Sequence, residues 1–322
     1  MDRADRLLHT LADGEPHSGE GLGAVLGVTR AAVWKLINQL REQGVPIRSV
    51  RRRGYRLEAP MELLDVRAMR SEMSAGAARA LGALAVERVV DSTNRRLFAE
   101  LDQLARPRAL LAEAQSAGRG RRGRSWHSPF GRNLYLSIAW PFEAVPGGVG
   151  GLSLATGIAV ADELSRYKVS GLGLKWPNDL LIHEAKVGGI LVELQGEPEG
   201  PCAAVIGLGL NLQMDDAGAV DQPWTALCAH LAFWPGRNVI AGGVLNAMIL
   251  AMQRFQVHGF AGFAGDWARH DLLAGRQVRL HVGSRTVDGL ACGVDQTGCL
   301  LLDQGQGPEP WRAGEVSLRS LT

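Results

Sequence analysis

The sequence lacks several features that would indicate a function directly. No apolar run reaches the roughly 18 to 20 residues needed to cross a bilayer, which argues against a membrane-spanning protein. Lys and Arg total 35 against 33 for Asp and Glu, so the net charge of +2 gives no overall basic field. The first residues contain acids and no long apolar segment, so we expect no secretory signal and a cytoplasmic location.

Two common binding motifs are also missing. The four cysteines contain no C-x-x-C pair and no cluster with histidine at zinc spacing, which predicts reduced, buried thiols. The chain has no G-x-x-x-x-G-K-[ST] phosphate loop. Any basic or nucleotide-binding function must therefore depend on local clusters of residues.

The chain length and its changes of pattern predict three domains in a multidomain α/β (α+β) fold. At 322 residues the chain exceeds the size at which one hydrophobic core stops growing. Residues 1–63 read as helices followed by a hairpin, and residues 64–271 alternate strand-like and helical segments. Residues 272–322 form short alternating runs between glycine turns, which indicates a small antiparallel barrel.

The N-terminal segment predicts a winged helix-turn-helix. Ser18 and Thr29 are positioned as N-caps of two successive helices, and three arginines precede Gly54 at the tip of the following hairpin. We expect these residues to bind DNA: Thr29, Arg30, Ala31, Trp34, Lys35, Asn38, Arg51, Arg52 and Arg53. A solvated polar face or a protein-binding winged helix is the alternative. Because a lone winged helix usually reads a half-site, we expect a dimer.

The stretch "GRGRRGRSW" at 118–126 is the most basic run of the central region. It matches the G-x-G-x-x-G dinucleotide fingerprint, but a loop and the strand-like "NLYLSIAW" follow it where that fingerprint needs a helix. A glycine and arginine loop between two strands is typical of a flexible anion-binding segment. Because four like charges repel, we expect residues 116–126 to be mobile until an anionic ligand binds.

Three further segments carry candidate site residues. "DSTN" at 91–94 starts a helix with hydroxyl side chains, and "KWPND" at 175–179 forms a turn whose Asn and Asp could contact nucleotide or Mg²⁺. Lys186 precedes the glycine pair that opens a buried strand, so it needs an anionic partner that a ligand could supply. Each segment alone also has a structural explanation as a cap, a turn or a packed loop.

Taken in order, these motifs resemble the BirA family of bifunctional biotin protein ligases and biotin operon repressors. The matching segments are Asp-Ser-Thr-Asn (91–94), Gln115, the arginine loop (118–124), Lys-Trp-Pro-Asn-Asp (175–179), Lys-Val-Gly-Gly-Ile-Leu-Val-Glu (186–193) and Ile-Gly-Leu-Gly-Leu-Asn (206–211). The resemblance covers nearly the whole chain. It implies a mixed-sheet, biotin/lipoate ligase-like central domain and an SH3-like C-terminal barrel.

The resemblance also implies roles for individual residues. Lys186, Arg121 and Arg119 would be catalytic, and Asp179 would bind Mg²⁺. The biotin-binding set would be Ser92, Thr93, Asn94, Gln115, Arg119, Gly120, Arg121 and Lys186. The set that binds ATP or the adenylate would be Gly118, Arg122, Lys175, Trp176, Asn178, Asp179, Asn211 and Trp224.

The implied activity is that of a biotin–[acetyl-CoA-carboxylase] ligase. It would use ATP and Mg²⁺ to form biotinyl-5′-AMP and pyrophosphate, and would transfer biotin to one lysine of the biotin carboxyl carrier domain. The same adenylate would act as corepressor, favouring a homodimer that binds the operator of biotin synthesis genes. A lipoate-type ligase and a ligand-sensing regulator without turnover remain the alternatives.

Overall fold

The computed structural model describes residues 2–197, 201–215, 220, 222–282 and 285–312, and the backbone of 316–320. Three β-sheets divide these residues: a two-stranded hairpin, a seven-stranded mixed sheet and a five-stranded antiparallel sheet. They occur in this order along the chain. The order of the three sheets agrees with the predicted order of a winged helix-turn-helix, a mixed-sheet domain and a small antiparallel β-domain.

The N-terminal part is a winged helix-turn-helix. Its elements are α1 (Arg3–Leu11), α2 (Gly19–Leu26), α3 (Arg30–Glu42), β1 (Ile47–Val50) and β2 (Gly54–Leu57). The side chains of Ser18 and Thr29 accept hydrogen bonds from the backbone N–H groups of the first turns of α2 and α3, which confirms both predicted caps. Strands β1 and β2 pair antiparallel, with the three arginines in the turn between them.

The central part is a seven-stranded sheet with helices packed against it. The elements are α4 (Val66–Ser71), α5 (Ala75–Ala80), β3 (Ala83–Val90), α6 (Thr93–Phe98), β4 (Arg108–Gln115), β5 (Leu134–Phe142), α7 (Leu152–Ser165), β6 (Leu172–Lys175), β7 (Asp179–Ile182), β8 (Ala185–Gly196), β9 (Cys202–Leu210), α8 (Arg237–His258) and α9 (Ala264–Trp267). The strand order is β3-β4-β5-β9-β8-β7-β6, and only the β3–β4 pair is parallel. Strands that are neighbours in this sheet, such as β5 and β9, can therefore be far apart in the sequence.

Helix α8 is the longest helix among the described residues, and no sequence pattern predicts it. Most of its 22 residues are buried, including Ala241, Val244, Met248 and Phe255. Because apolar side chains surround the helix, its sequence does not show the one-sided pattern by which surface helices are recognised. It packs beside α7, and together they cover one face of the sheet.

A buried ionic network joins the segment after the wing to the central sheet. The Arg237 side chain is fully buried; it donates to the Asn133 carbonyl and forms an ion pair with Glu113 of β4. The same Glu113 accepts the Leu64 backbone N–H at 2.7 Å, and Glu62 accepts the Arg237 backbone N–H. Removing one partner would leave a buried charge without compensation, so this network holds the segment at Glu62 and Leu64 against the central sheet.

The winged helix also packs directly against the central sheet. Arg88 of β3 forms ion pairs with Asp2 at 3.0 Å and Asp5 at 2.6 Å, at the start of α1. Ala114 and Phe130 belong to the same buried apolar cluster as the N-terminal helices. These two residues flank the arginine loop, so both ends of the loop are anchored where the two domains meet.

The C-terminal part is a five-stranded antiparallel sheet. Its strands are β10 (Gln277–Val282), β11 (Arg285–Val294), β12 (Leu300–Asp303), β13 (Pro308–Trp311) and β14 (Val316–Ser320), in the order β13-β12-β11-β10-β14. Irregular register between Ala291 and Val294 bends β11. This antiparallel sheet agrees with the small β-domain predicted for the C-terminus.

Two composition-based expectations can be checked. Within the described ranges, no helix combines the length and apolarity needed to cross a membrane. All four cysteines are free, but Cys228 and Cys292 are exposed while only Cys202 and Cys299 are buried. The prediction of buried thiols is therefore wrong for two of the four, because both exposed cysteines lie on surface segments.

Candidate active site and nucleic-acid interface

A cavity of about 570 Å³ opens beside strands β8 and β9 of the central sheet. The predicted residues that line it are Ser92, Thr93, Asn94, Gln115, Arg119, Gly120, Arg121, Arg122, Lys175, Trp176, Asn178, Asp179 and Lys186. They come from α6, the end of β4, the arginine loop, the β6–β7 turn and β8. The fold thus brings together every residue of the predicted catalytic and biotin-binding sets.

One end of the cavity is polar and uncharged. Ser92 caps α6, and the Thr93 backbone N–H donates to the Gln115 Oε1 at 2.9 Å. The Gln115 Nε2 donates to the Ser128 Oγ at 3.1 Å, which fixes the direction of the Gln115 amide. Ser137 of β5 lies 2.7 Å from the Thr93 hydroxyl and is fully buried. Such a set of fixed donors and acceptors suits a neutral polar group such as a cyclic urea.

Ser137, which was not predicted, contacts Thr93 and Asn94 from behind and does not line the cavity itself. Its Oγ also lies 2.6 Å from the Asn94 Oδ1. A serine inside a strand carries no sequence signal that separates it from a packed residue. Its position beside Thr93 and Asn94 follows from the fold, in which β5 lies next to β9 in the middle of the sheet.

The other end of the cavity is cationic and is covered by the arginine loop. The loop folds back on itself: the Trp126 N–H donates to the Gly118 carbonyl at 2.9 Å, and the Gly120 N–H donates to the Arg124 carbonyl at 2.7 Å. The Arg121 guanidinium donates to the Asn178 Oδ1 at 3.3 Å. Burial lowers the pKa of Arg121, and the charge of the neighbouring Arg122 lowers it further.

The structure corrects the electrostatic premise behind the predicted loop mobility. Arg119 is paired with Glu193 of β8, with 3.0 Å between its NH2 and the Glu193 Oε1. At least one of the four positive charges in the loop, that of Arg119, is therefore balanced by a carboxylate. The mobility of residues 116–126 in the absence of ligand stays a prediction. Charge repulsion no longer supports it in the case of Arg119.

Lys186 also has a protein partner. Its Nζ lies 2.6 Å from the Asp179 Oδ1, and both side chains are largely buried. A buried lysine needs an anion nearby, and a bound ligand is not the only group that can supply it. Asp179 supplies this charge in the structure, so burial of Lys186 alone is no evidence for a bound anion.

Trp126 is the clearest site residue that the sequence analysis missed. Its indole covers Gly209 of β9, where an added Cβ would lie 2.4 Å from the ring. The Lys186 ammonium lies 5.4 Å from the ring centroid, within the range of a cation–π contact. The indole Nε1 is buried and has no hydrogen-bond partner in the described structure. A ligand in this cavity could accept from it.

Three residues of the predicted nucleotide set lie outside the cavity lining, and a fourth, Trp176, lines it but has its indole N–H bound elsewhere. The Trp176 indole is buried and donates to the Gly298 carbonyl of the C-terminal domain at 3.1 Å, although the residue borders the cavity. Asn211, Trp224 and Gly118 do not line the cavity. The Asn211 Nδ2 donates to the Thr225 carbonyl at 3.2 Å, and Trp224 forms a strand bridge with Lys186. Both therefore support the segment that carries Lys186.

The donor set for Mg²⁺ is small. The described residues hold no group of three or more His, Cys, Asp or Glu side chains that could bind a metal. Asp179 offers one carboxylate, which Lys186 already contacts. Mg²⁺ often binds through one or two carboxylates together with substrate phosphates and water. The residues present fit an ion that arrives with a nucleotide, and do not form a preformed metal site.

Most of the predicted DNA-binding residues are exposed on α3 and in the turn of the wing. Trp34 and Lys35 are exposed on α3, opposite the buried Val33 and Ile37. Arg30 and Ala31 are exposed at the start of the same helix, and Arg51, Arg52 and Arg53 are exposed in the turn of the wing. Thr29 uses its hydroxyl as the helix cap, and the Asn38 Oδ1 accepts weakly from Arg41.

These features define a class of protein: a winged helix-turn-helix domain joined to a mixed-sheet, ligase-type catalytic domain and a small antiparallel β-domain. The sequence matches the Biotin/lipoate A/B protein ligase family over residues 86–211, the HTH domain over 3–56 and the Biotin protein ligase C terminal domain over 274–319.

Individual relatives agree with this class. The chain is 39% identical to the Bifunctional ligase/repressor BirA of Escherichia coli, over 98% of this chain and 97% of that protein. It is 31% identical to the Biotin--[acetyl-CoA-carboxylase] ligase of Paracoccus denitrificans, over 70% of this chain and 96% of the other. The biotin protein ligase of Aquifex aeolicus in complex with biotin and ATP matches with a TM-score of 0.63 and 27% identity, covering 74% of this chain and 99% of that one. The chain belongs to the BirA family of bifunctional ligase/repressors.

Proposed function

We propose that the chain is an ATP-dependent biotin–protein ligase that also acts as a biotin-responsive transcriptional repressor. One observation carries the ligase function: a polar, uncharged end and a cationic end meet in one cavity, which matches biotin activated at its carboxylate. The polar end would bind the ureido head group. The cationic end would bind the carboxylate and the nucleotide phosphates.

In the first step the biotin carboxylate attacks the α-phosphate of ATP, and pyrophosphate leaves. The two reactants are both anions, so the barrier contains a large electrostatic repulsion that fixed cations reduce. Lys186, Arg119 and Arg121 would supply these cations. Because Lys186 is paired with Asp179, binding of the anion requires this lysine to exchange or share its partner.

In the second step the ε-amine of the carrier lysine attacks the carbonyl carbon of biotinyl-5′-AMP. An amide bond forms, the bond between carbonyl carbon and phosphate oxygen breaks, and AMP leaves. The mixed anhydride hydrolyses in water, so the intermediate must be covered until the carrier arrives. The arginine loop with the Trp126 indole would form this cover.

The residue assignments follow the two ends of the cavity. The biotin set of Ser92, Thr93, Asn94, Gln115 and Gly120 would contact the head group, while Lys186, Arg119 and Arg121 would reach its carboxylate. Arg122, Lys175, Asn178 and Asp179 would contact the nucleotide. Gly118, Trp176, Asn211 and Trp224 would act by supporting the loop and strands around it.

Mg²⁺ would bind with ATP beside Asp179. When bound, the ion would neutralise phosphate charge. Because Asp179 also holds Lys186, this carboxylate links the metal position to the lysine that faces the reacting anions.

Residues 1–63 would form the DNA-binding unit, residues 64–271 the ligase and residues 272–322 the C-terminal domain. The homodimer formed with biotinyl-5′-AMP would pair through β8: among the described strands, β7 pairs with β8 only as far as Gly189, so the edge beyond it is open. Operator DNA of biotin synthesis genes and a carboxylase carrier domain, both in the cytoplasm, would be the partners.

The test for the ligase is pyrophosphate release with biotin and ATP, followed by mass spectrometry of a purified biotin carboxyl carrier domain. We expect one biotinyl group on one lysine. Modification with lipoate in place of biotin would support the lipoate-type alternative, and no pyrophosphate release with either acid would support a sensor without turnover. A gel shift with operator DNA, with and without biotinyl-5′-AMP, tests the repressor.

A further inference from the structure

We infer that Glu193 is a positioning residue for the biotin-binding side of the cavity, where it holds Asn94 at the head-group end and Arg119 at the cationic end. Glu193 lies on β8 and does not line the cavity itself. Its carboxylate lies 2.9 Å from the Asn94 Nδ2, and 3.0 and 3.2 Å from the Arg119 NH2. One acid therefore joins the floor of the cavity to the loop that covers it. This inference rests on the proposed function.

The first consequence concerns the orientation of the Asn94 amide. A carboxylate only accepts hydrogen bonds, so Glu193 requires the NH2 end of this amide to point toward it. The second N–H of the Asn94 Nδ2 reaches the Leu191 carbonyl at 3.3 Å, and the Oδ1 lies 2.6 Å from the Ser137 Oγ. Both N–H groups of Asn94 are thus used within the protein.

Only the remaining lone pair of the Asn94 Oδ1 is left for a ligand. Asn94 can accept a hydrogen bond from the ligand, but it has no N–H left to donate. A cyclic urea carries two N–H donors, and an amide oxygen held in this direction fits one of them. Without the carboxylate, the two ends of the amide could exchange and a donor could face a donor.

The second consequence concerns Arg119. Its guanidinium is bound at the NH2 edge by Glu193, while its Nε is buried and has no partner in the described structure. An unpaired buried donor carries a desolvation cost that a ligand acceptor can remove. Glu193 therefore holds Arg119 with this N–H available and fixes the first part of the arginine loop to β8.

The test is the substitution Glu193→Gln, which keeps the shape of the side chain and removes its charge. We expect the Kd for biotin, measured by isothermal titration calorimetry, to rise about tenfold or more, because the hydrogen bonds from Asn94 and Arg119 lose their charged acceptor. In pyrophosphate-release kinetics, the KM for biotin should rise while the KM for ATP changes less than threefold. Glu193→Asp should recover part of the affinity because it restores the acceptor-only group.

Three controls separate this role from a structural one. Glu87→Gln removes the carboxylate of an exposed ion pair with Arg96 and should leave biotin affinity unchanged. The thermal midpoint of ligand-free Glu193→Gln should match that of the unsubstituted chain. In an Asn94→Ala background, adding Glu193→Gln should weaken biotin binding by less than it does alone, since the positioned group is already gone.

The outcomes are distinguishable. If the unsubstituted chain binds biotin and Glu193→Gln binds it equally well, the inference about Glu193 is wrong and the proposed function stands. If the effects of Glu193→Gln and Asn94→Ala simply add, Glu193 does not act through Asn94 and the inference is also overturned. If the unsubstituted chain does not bind biotin, the proposed function itself fails.

Discussion

Replacing Gly209 with alanine should damage the catalytic site while leaving the fold intact. Gly209 lies in β9 under the Trp126 indole, and an added Cβ would lie 2.4 to 2.7 Å from three ring atoms. Ordinary contact begins near 3.4 Å, so the indole must move by about 1 Å. Trp126 lies on the loop between exposed residues, so it can move without disturbing the core.

The expected effects on stability and on catalysis therefore differ in size. Overpacking costs about 1 to 3 kcal/mol where neighbours cannot move, and replacing a strand glycine by alanine stabilises by about 0.5 to 1 kcal/mol. With a movable indole we expect the free energy of unfolding to change by no more than about 1 kcal/mol. A misplacement of about 1 Å in a catalytic site can lower the rate by about 100-fold.

The assay pairs pyrophosphate-release kinetics with thermal unfolding. We expect kcat/KM for biotin to fall by about 10- to 100-fold in Gly209→Ala, with a similar thermal midpoint. Gly265→Ala is the matched control, since an added Cβ there meets nothing within 4 Å. A kcat/KM within twofold of the unsubstituted chain would refute the assignment of Trp126 to the cover of the cavity. So would a large fall in the thermal midpoint, which would show that the glycine serves folding.

Three further predictions test other parts of the structure. Lys186→Met leaves Asp179 unpaired and should lower kcat for adenylate formation by at least about 100-fold; stopped-flow pyrophosphate release measures this, and a loss below fivefold would contradict it. Trp34→Ala, at a 55% exposed position of α3, should weaken operator binding about tenfold in fluorescence anisotropy without changing the thermal midpoint; unchanged affinity would remove Trp34 from the interface. Burial alone would raise the pKa of Asp2, but hydrogen bonds with the Asp5 backbone and Arg88 hold it below 3.8. Its stabilising contribution is therefore present above pH 3.8 and is lost as the pH falls through the lowered pKa. Urea unfolding should show a smaller loss of stability on acidification in Arg88→Met than in the unsubstituted chain, and an equal loss would contradict the pairing.

Local signals in the sequence predicted the local structure well. Ser18 and Thr29 are caps where a hydroxyl precedes an amphipathic run, and the turn of the wing falls at the three arginines. The strand-like "NLYLSIAW" that follows the arginine loop forms most of β5 (Leu134–Phe142). Each of these features depends on neighbours within a few positions, which a sequence displays directly.

Long-range pairings could not be predicted in the same way. The partners of Lys186 and Arg119 are Asp179 and Glu193, and Glu193 is separated from Arg119 by more than 70 positions. The Arg119–Glu193 pair depends on the sheet order, in which β8 lies two strands beyond β5, whereas the Lys186–Asp179 pair joins the consecutive strands β7 and β8. Trp126 was missed for a related reason: its importance comes from a glycine on β9 that it covers. The motif residues were visible, Asp179 and Glu193 among them, but which of these residues pair with one another was not.

The most direct test of the central claim is stoichiometric. The full chain is incubated with ATP, Mg²⁺, biotin and a purified biotin carboxyl carrier domain, and AMP, pyrophosphate and carrier mass are measured together. The account predicts one AMP and one pyrophosphate for each biotin attached to a single carrier lysine, with adenylate forming before the carrier is added. Carrier modification without AMP formation, or ATP turnover that leaves the carrier unmodified, would contradict it.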